Sequence, residues 1–213
     1  HEVHEALRYA IENVKAFHEI QKPKAMEMVQ VRPGIMAAEK WVSVDRAALY
    51  VPRGRGSFPS MLYMLAVPAV IAGVPEIIVC TPPDADGSID PACLVAARML
   101  GIHRILRAGG SQAIAALALG TASVPRVDKI IGPGSRYVAA AKRLLSDVVD
   151  TGLPAGPSES MVLADADANP VTVALALLVE AEHGMDSSAL LVTPSAALAA
   201  AVKAELEARI ASI

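Results

Sequence analysis

Residues 61–80, MLYMLAVPAVIAGVPEIIVC, decide the fold class of this chain. The stretch is almost entirely apolar, but Pro68, Gly73, Pro75 and Glu76 interrupt it. A membrane-spanning helix needs about 20 apolar residues without such breaks. Proline and glycine placed this way are typical of a helix, a turn and then a strand. The stretch therefore predicts a helix followed by a buried strand, and no membrane partner is expected.

The same alternation of strand and helix continues on both sides of this stretch. Six segments are predicted to be strands: residues 47–52, 76–82, 104–109, 128–133, 160–166 and 189–194. Helical patterns lie between and after them, over residues 57–73, 90–101, 111–120, 135–149, 169–184 and 196–210. The early strands are continuous apolar runs, which suits strands buried on both faces of a parallel sheet. This alternation predicts an α/β fold of the Rossmann type.

The N-terminal region has a different pattern. Residues 1–20 have apolar side chains at helical spacing, and residues 26–44 alternate around a turn at 32–34 as a β-hairpin does. The opening HEVHEALRYA carries charges throughout, so no signal peptide is expected there.

The domain organisation is predicted from one break in the alternation. The segment 150–159 is rich in glycine and proline and suits a crossing between two domains. We expect a Rossmann-like parallel-sheet domain over residues 46–156. Residues 1–45 and 157–213 are expected to form a second, incomplete α/β domain together.

The composition excludes some classes of partner. The 213 residues carry a formal net charge of -3, which argues against a nucleic-acid-binding face. Hydrophobic residues make up 54% of the chain and aromatic residues only 3%, so the core must consist mainly of small aliphatic side chains. Two cysteines, Cys80 and Cys93, are too few for a disulfide framework and suit a reducing compartment such as the cytoplasm.

Three glycine-rich turns between a strand and a helix are the candidate ligand-binding loops. They are PRGRGSFPS (52–60), RAGGSQA (107–113) and IIGPGSRYV (130–138). In doubly wound folds ligands bind where strands end, and the N–H groups at a helix start favour phosphate. Each turn alone is explained equally well by chain reversal, and the first has Gly54 and Gly56 but lacks the third glycine of a dinucleotide fingerprint. Three such turns in series favour a nucleotide cleft.

A second candidate site lies in VEAEHGMDSS (179–188), which groups Glu180, Glu182, His183 and Asp186. Residues three apart share a helix face, so an oxygen of Glu180 and a nitrogen of His183 are expected to form half of a zinc site. The other interpretation is that His183 is a structural or surface histidine, since no further histidine has metal-ligand spacing with it. Composition and spacing alone lead only to an α/β domain that binds a nucleotide.

With these turns laid out, the sequence resembles the histidinol dehydrogenase family. The resemblance rests on FPSMLYMLAVPAVIAGVPEIIVCTPP (58–83), GGSQAIAALALGT (109–121), VDKIIGPGSRYVAAAKR (127–143), LPAGPSES (153–160) and AEHGMDSSALLVTP (181–194). It implies a cytoplasmic, homodimeric oxidoreductase of histidine biosynthesis that uses NAD and Zn2+. Such an enzyme oxidises L-histidinol through the aldehyde to L-histidine.

The resemblance also implies roles for particular residues. Three of them fall at cofactor-contact positions: Tyr50, Gln112 and Ser135. Ser158 falls at a substrate contact, and Glu180 and His183 fall at two metal-ligand positions that also touch substrate.

Two residues depart from the family's usual pattern. Glu180 stands where the family usually has glutamine, and Ser135 stands where it usually has asparagine. A carboxylate still binds zinc but adds negative charge, and a hydroxyl reaches less far than an amide.

The family's general-base pair and its two other metal ligands are placed beyond residue 213 by the resemblance. No catalytic residue is therefore expected within this chain, and the chain alone is expected to be inactive. Two origins stay open, a fragment or a natural short relative. Two alternatives to a histidinol enzyme stay open as well: a paralogous dehydrogenase of another polar alcohol, and a non-catalytic nucleotide-binding or assembly module.

Overall fold

The structure, a computed structural model, describes residues 2–53, 58–153, 155, 158–181, 183 and 187–211. Within them the helices are α1 (Glu2–Gln21), α2 (Pro59–Ile71), α3 (Pro91–Met99), α4 (Gly110–Leu119), α5 (Arg136–Leu144), α6 (Pro170–Ala181) and α7 (Ala196–Ile210). The strands are β1 (Met26–Arg32), β2 (Ile35–Lys40), β3 (Arg46–Tyr50), β4 (Glu76–Thr81), β5 (Arg104–Arg107), β6 (Lys129–Ile131), β7 (Glu159–Leu163) and β8 (Ser188–Val192). Contacts divide the chain into two compact units, His1–Ala155 and Gly156–Ile213.

The apolar stretch 61–80 forms most of α2, a turn and β4, as its proline and glycine breaks predict. Gly73, with a φ of 77°, supplies the left-handed conformation that reverses the chain after α2. In the described part of the chain, no helix is long and apolar enough to cross a membrane. The predicted α/β class with a parallel sheet is confirmed.

The first unit contains a four-stranded parallel sheet in the order β5-β4-β3-β6. Leu49 on β3 is paired with Val79 on β4 and with Ile131 on β6. From β3 the chain moves outward to β4 and β5 on one side, and then returns to place β6 on the other side. The strand order therefore reverses between β3 and β6.

Helices cover both faces of this sheet, which explains the continuous apolar runs in its central strands. Leu49 and Val51 of the β3 segment pack into a core built with α1, α2 and α3. Ala48 and Tyr50 point the other way, into a core built with α4 and α5. Side chains alternate between the two faces of a strand, so burial on both faces requires apolar residues at every position.

Residues 1–45 belong to the first unit in this structure. Helix α1 packs on α2 and α3, with Leu7 buried in the same core as Leu49. Strands β1 and β2 form the predicted antiparallel hairpin, and every residue in both strands is exposed. This grouping differs from the expected one with residues 157–213. An association of the two chain ends within a longer protein stays a prediction.

The second unit is smaller and simpler. Its strands β7 and β8 form a two-stranded parallel sheet, and α6 and α7 pack together beside it. Val162 and Leu191 face the core formed with these helices. The opposite face of the sheet is exposed and carries four apolar side chains, Met161, Leu163, Leu190 and Val192, beside Glu159 and Ser188 at the strand starts.

Candidate functional site

The carboxyl ends of β3 and β6 form the principal candidate site. In open parallel sheets, ligands bind in the crevice outside the carboxyl ends of the strands, at the point where strand order reverses. Here that point lies between Tyr50, the last residue of β3, and Gly132, the first residue after β6. Two of the three glycine-rich turns singled out in the sequence follow β3 and β6. The third follows β5, so all three come after the carboxyl ends of parallel strands.

Tyr50 joins two of these turns. Its hydroxyl oxygen accepts a hydrogen bond from the backbone N–H of Gly110 at 3.0 Å. Its backbone carbonyl lies so close to Gly132 that a Cβ at that glycine would stand 2.1 Å from the carbonyl oxygen. Gly132 also has a φ of 116°, so both space and backbone conformation require glycine there.

The side chain of Tyr50 is buried, with only 3% of its surface exposed. Burial is the main influence on its phenol and raises the pKa of Tyr50 above its ordinary value, so the hydroxyl stays protonated at neutral pH. The hydroxyl thus retains a proton to donate while its oxygen accepts from Gly110. Tyr50 therefore stabilises the two turns that border the candidate cleft.

Gln112 lies in the first turn of α4 and is exposed. Its amide folds back over Gly110, where an added Cβ would come within 2.7 Å of the Gln112 Oε1 atom. Gly110 has a φ of 73° and opens the helix, so the backbone N–H groups of the first turn face the same edge of the sheet as Tyr50.

Ser135 is the N-cap residue of α5 and is exposed. Its hydroxyl makes no capping hydrogen bond to the helix. The turn before it is closely packed, since a Cβ at Gly134 would stand 2.5 Å from a methyl carbon of Val138. The start of α5 therefore presents a hydroxyl and N–H groups of the first helical turn, a combination that suits an anionic group.

The turn after β3 is only partly described. Gly54, Arg55 and Gly56, which the sequence placed in this candidate loop, lie outside the described residues. Arg53 forms an ion pair with Asp84, which follows β4.

Lys142 is a residue at this site that the sequence reasoning missed. It lies on α5 with only 4% of its surface exposed, and its Nζ donates a hydrogen bond to the Gly132 carbonyl at 2.5 Å. A signal was available, because Lys142 occupies a position four residues after the buried Val138, on the apolar face of the helix.

The second candidate site lies at the end of α6. Glu180 is partly buried, and its Oε1 atom has no hydrogen-bond partner among the described residues. His183 is exposed, and its Nδ1 lies 2.9 Å from the carbonyl oxygen of Val179. A carbonyl oxygen only accepts, so this contact assigns the proton to Nδ1 and leaves the Nε2 lone pair available.

These two side chains fit a metal ion in their chemistry. A buried carboxylate oxygen without a donor is unfavourable unless a cation compensates it. A histidine that binds a metal through one ring nitrogen usually donates a hydrogen bond from the other to a backbone carbonyl or a carboxylate. The part of the chain described here contains no cluster of three or more potential metal ligands, and these two side chains correspond to half of a four-ligand zinc site.

The remaining residues of this candidate site are less informative. Ser158 is exposed immediately before β7, and its carbonyl accepts the N–H of Ser188 at 3.2 Å. Glu182 and Asp186, grouped with His183 in the sequence, fall outside the described residues. Ser158, Glu180 and His183 belong to the second unit, whereas Tyr50, Gln112 and Ser135 belong to the first.

Comparison with known proteins identifies the family. The family model described as histidinol dehydrogenase matches residues 1–213. The chain belongs to the histidinol dehydrogenase family.

Individual members of the histidinol dehydrogenase family are similar over most of this chain. A histidinol dehydrogenase from Synechocystis sp. is 56% identical over 198 residues, which are 93% of this chain and 46% of that protein. A histidinol dehydrogenase homolog from Colwellia psychrerythraea is 55% identical over 198 residues, with 93% and 44% covered. The crystal structure of histidinol dehydrogenase from Elizabethkingia anophelis matches with a TM-score of 0.91 and 38% identity, covering 100% of this chain and 49% of that one. The chain thus spans about half the length of the relatives it matches.

Proposed function

We propose that this chain is the NAD-binding core of a zinc-dependent dehydrogenase that oxidises L-histidinol through the aldehyde to L-histidine. The observation that carries the proposal is the position of Tyr50, which connects the turns at Gly110 and Gly132 where strand order reverses. A dinucleotide suits this crevice because its pyrophosphate needs close backbone approach and N–H donors. Membership of the histidinol dehydrogenase family supports the same assignment.

Three residues are proposed to contact the cofactor. Ser135 and the first turn of α5 would donate hydrogen bonds to a phosphate or ribose oxygen, and Gln112 would offer its amide from α4. Tyr50 would contact the cofactor through its hydroxyl proton, and its hydroxyl oxygen and backbone carbonyl would hold both turns at the correct separation. NAD, when bound, accepts the hydride, and the chain's own residues bind and orient it.

Glu180 and His183 are proposed as two ligands of a catalytic zinc that also touch substrate, with Ser158 as a further substrate contact. Zinc, when bound, polarises the alcohol oxygen of the substrate. Catalytic zinc takes three protein ligands as a rule, so this pair needs at least one ligand from residues outside the chain. The 213 residues alone are therefore expected to bind zinc weakly and to lack activity.

Calorimetric titration of the 213-residue chain with NAD tests the proposal. We expect binding in the millimolar range, because the serine hydroxyl at residue 135 reaches less far than the amide usual in the family. Ser135→Asn should tighten binding by lengthening this contact, and Ser146→Asn, at an exposed serine after α5, is the matched control. Absence of NAD binding by a folded sample at several millimolar would refute the proposal.

A second candidate is a paralogous dehydrogenase that acts on another polar alcohol. The observation that favours it is Glu180, whose carboxylate brings a negative charge where the family usually has a neutral glutamine. That charge alters which substrate group is tolerated beside the metal. The homodimeric state and the cytoplasmic location implied by the resemblance are proposals for either candidate.

Glu180→Gln in the full-length parent protein separates the two candidates. If the parent is a histidinol enzyme, the substitution restores the usual ligand, and kcat/KM with L-histidinol stays unchanged or rises. If the carboxylate serves another substrate, the same substitution lowers turnover of that alcohol, and L-histidinol is a poor substrate for both forms. Robust NAD reduction with L-histidinol by the 213 residues alone would contradict the view that essential ligands lie outside the chain.

A further inference from the structure

Lys142 is a buried cation that no step of the proposed reaction uses. It lies on α5 between the buried Ala141 and the exposed Arg143, and its own exposed fraction is 4%. Its one hydrogen-bond acceptor within the described residues is the carbonyl of Gly132, at 2.5 Å from Nζ. No carboxylate in the described part of the chain is paired with it.

This position is unfavourable for a lysine unless the charge has a use. Burial lowers the pKa of Lys142, because the ammonium group loses hydration that a single carbonyl replaces only in part. A methionine or leucine would fill the same space beside Val138 without that penalty. The buried charge therefore points to an interaction with the segment that it touches.

That segment is the turn that opens α5. Side chains on a helix lean toward its N-terminus, so Lys142 reaches back along α5 to the carbonyl of Gly132, three residues before the N-cap Ser135. Gly132 is also the residue that abuts the Tyr50 carbonyl. The ammonium group thus fixes one end of the turn, and the tightly packed Gly134 fixes its middle.

The charge adds to the field of the helix. The first N–H groups of α5 carry a partial positive charge, and the unpaired ammonium group near Gly132 strengthens it. Such a field favours an anionic ligand over a neutral one. The ammonium group of Lys142 therefore acts on this turn in two ways, by holding the Gly132 carbonyl and by adding positive charge.

We propose that Lys142 is a positioning residue for the cofactor: its ammonium group holds the Gly132 carbonyl, and so keeps the turn from Gly132 to Ser135 shaped for the pyrophosphate of a dinucleotide. This inference rests on the proposed NAD site. Lys142 itself touches no cofactor atom, and it acts through Gly132 and the start of α5.

The test compares Lys142→Met with Arg143→Met in the 213-residue chain. Both substitutions remove one positive charge from α5, but Arg143 is exposed, and no hydrogen bond joins its side chain to the described residues of the Gly132 turn. NAD affinity is measured by calorimetry, with inorganic pyrophosphate as a second probe, and folding is followed by circular dichroism. We expect Lys142→Met to weaken the binding of NAD and of pyrophosphate by about tenfold or more, as loss of a hydrogen bond to a charged group does. Arg143→Met should change either affinity by less than about twofold. Lys142→Arg keeps the charge and donors and should recover part of the lost affinity.

A spectroscopic measurement on the unmutated chain covers the case in which Lys142→Met does not fold. With lysine labelled with 13C at Cε, the Lys142 signal should shift on NAD addition, whereas the signal of the exposed Lys203 should stay fixed. Equal NAD affinity of folded Lys142→Met and the unmutated chain, or an unmoved Lys142 signal at saturating NAD, would overturn the inference. Failure of the unmutated chain to bind NAD would instead remove the proposed function on which the inference rests.

Discussion

The two units of the chain differ in how completely helices cover their parallel sheets. In the first unit, helices cover both faces of a four-stranded parallel sheet, and the last four residues of β3 and of β4 are buried. In the second unit, helices α6 and α7 pack beside a two-stranded sheet whose residues alternate between partly buried and exposed. Parallel sheets are normally covered on both faces, but the described residues of the second unit leave the apolar side chains on one face of its sheet exposed.

The unit whose sheet is covered on both faces also contains the principal candidate site. The first unit contains the strand-order reversal and both turns that Tyr50 contacts, at Gly110 and Gly132, so this candidate cleft is formed within one compact unit. The second unit contributes two side chains, Glu180 and His183, to the proposed zinc site. The chain spans about half the length of the relatives it matches.

The largest expected effect compares two strand leucines, one from each unit. Leu49 has none of its surface exposed, whereas Leu190 is 54% exposed. Leu49→Ala should lower the free energy of unfolding by about 2–5 kcal/mol through lost burial and a cavity. Leu190→Ala should lower it by less than about 1 kcal/mol. Urea titration followed by circular dichroism measures both, and equal losses would show that the two sheets are buried alike.

The next effect concerns the close approach at the cleft. Gly132→Ala places a Cβ against the Tyr50 carbonyl at a φ of 116°, and should destabilise the first unit by roughly 1–3 kcal/mol while weakening NAD binding. Gly34→Ala is the matched control, since Gly34 also has a positive φ, 79°, but open space around it. A Gly132→Ala protein as stable as Gly34→Ala, with unchanged NAD affinity, would contradict the proposed role of this contact.

A smaller, pH-dependent effect is expected at the outer side of β6, where Asp150 forms a parallel bridge with Lys129. Lys129 donates a 2.5 Å hydrogen bond to Asp150, and this bond is the main reason that the pKa of Asp150 lies below its ordinary value. A carboxyl group with a lowered folded-state pKa stabilises the fold above its unfolded pKa, about 3.9, and loses that contribution as the pH falls through the lower folded value. Asp150→Asn should therefore cost up to about 1 kcal/mol at pH 6 and progressively less below pH 4. A stability difference that is the same at pH 6 and pH 3 would argue against the ion pair.

The smallest effect on stability is expected on the open face of the second unit. Leu163 is 78% exposed, so Leu163→Ser should change the free energy of unfolding by no more than about 0.5 kcal/mol. Exposed apolar patches favour association, so the same substitution should reduce self-association at micromolar concentrations. Leu119→Ser, at a leucine on α4 that is 60% exposed, is the control in the first unit. Light scattering that shows a monomer before any substitution would rule out association through this face.

Most of the fold was predictable because local chemistry and tertiary packing agree. The helix over 196–210 has the predicted bounds, and all six predicted strands are present, although each is shorter than predicted. β6 ends at Ile131 because Gly132 takes a positive φ and turns away beside Tyr50. That contact joins residues 82 positions apart, and no local pattern reveals it.

The candidate site was predictable only in part for the same reason. The glycine-rich turns and the Glu180–His183 spacing are local features, and the sequence displays them directly. The order of strands and the acceptor of Lys142 depend on long-range packing. The helical spacing places Lys142 on the same face of α5 as Val138, but only the structure shows that it is buried against Gly132, unlike its exposed neighbour Arg143.

The central claim is that a dinucleotide binds where strand order reverses in the first unit. An NMR titration of 15N-labelled chain with NAD to several millimolar tests it most directly. We expect the amide signals of Tyr50, Gly110, Gly132 and Ser135 to shift together. The signals of Glu76 and Arg104, at the amino ends of β4 and β5, should stay fixed. Unmoved signals in a folded sample, or shifts confined to the amino ends of the strands, would contradict the claim.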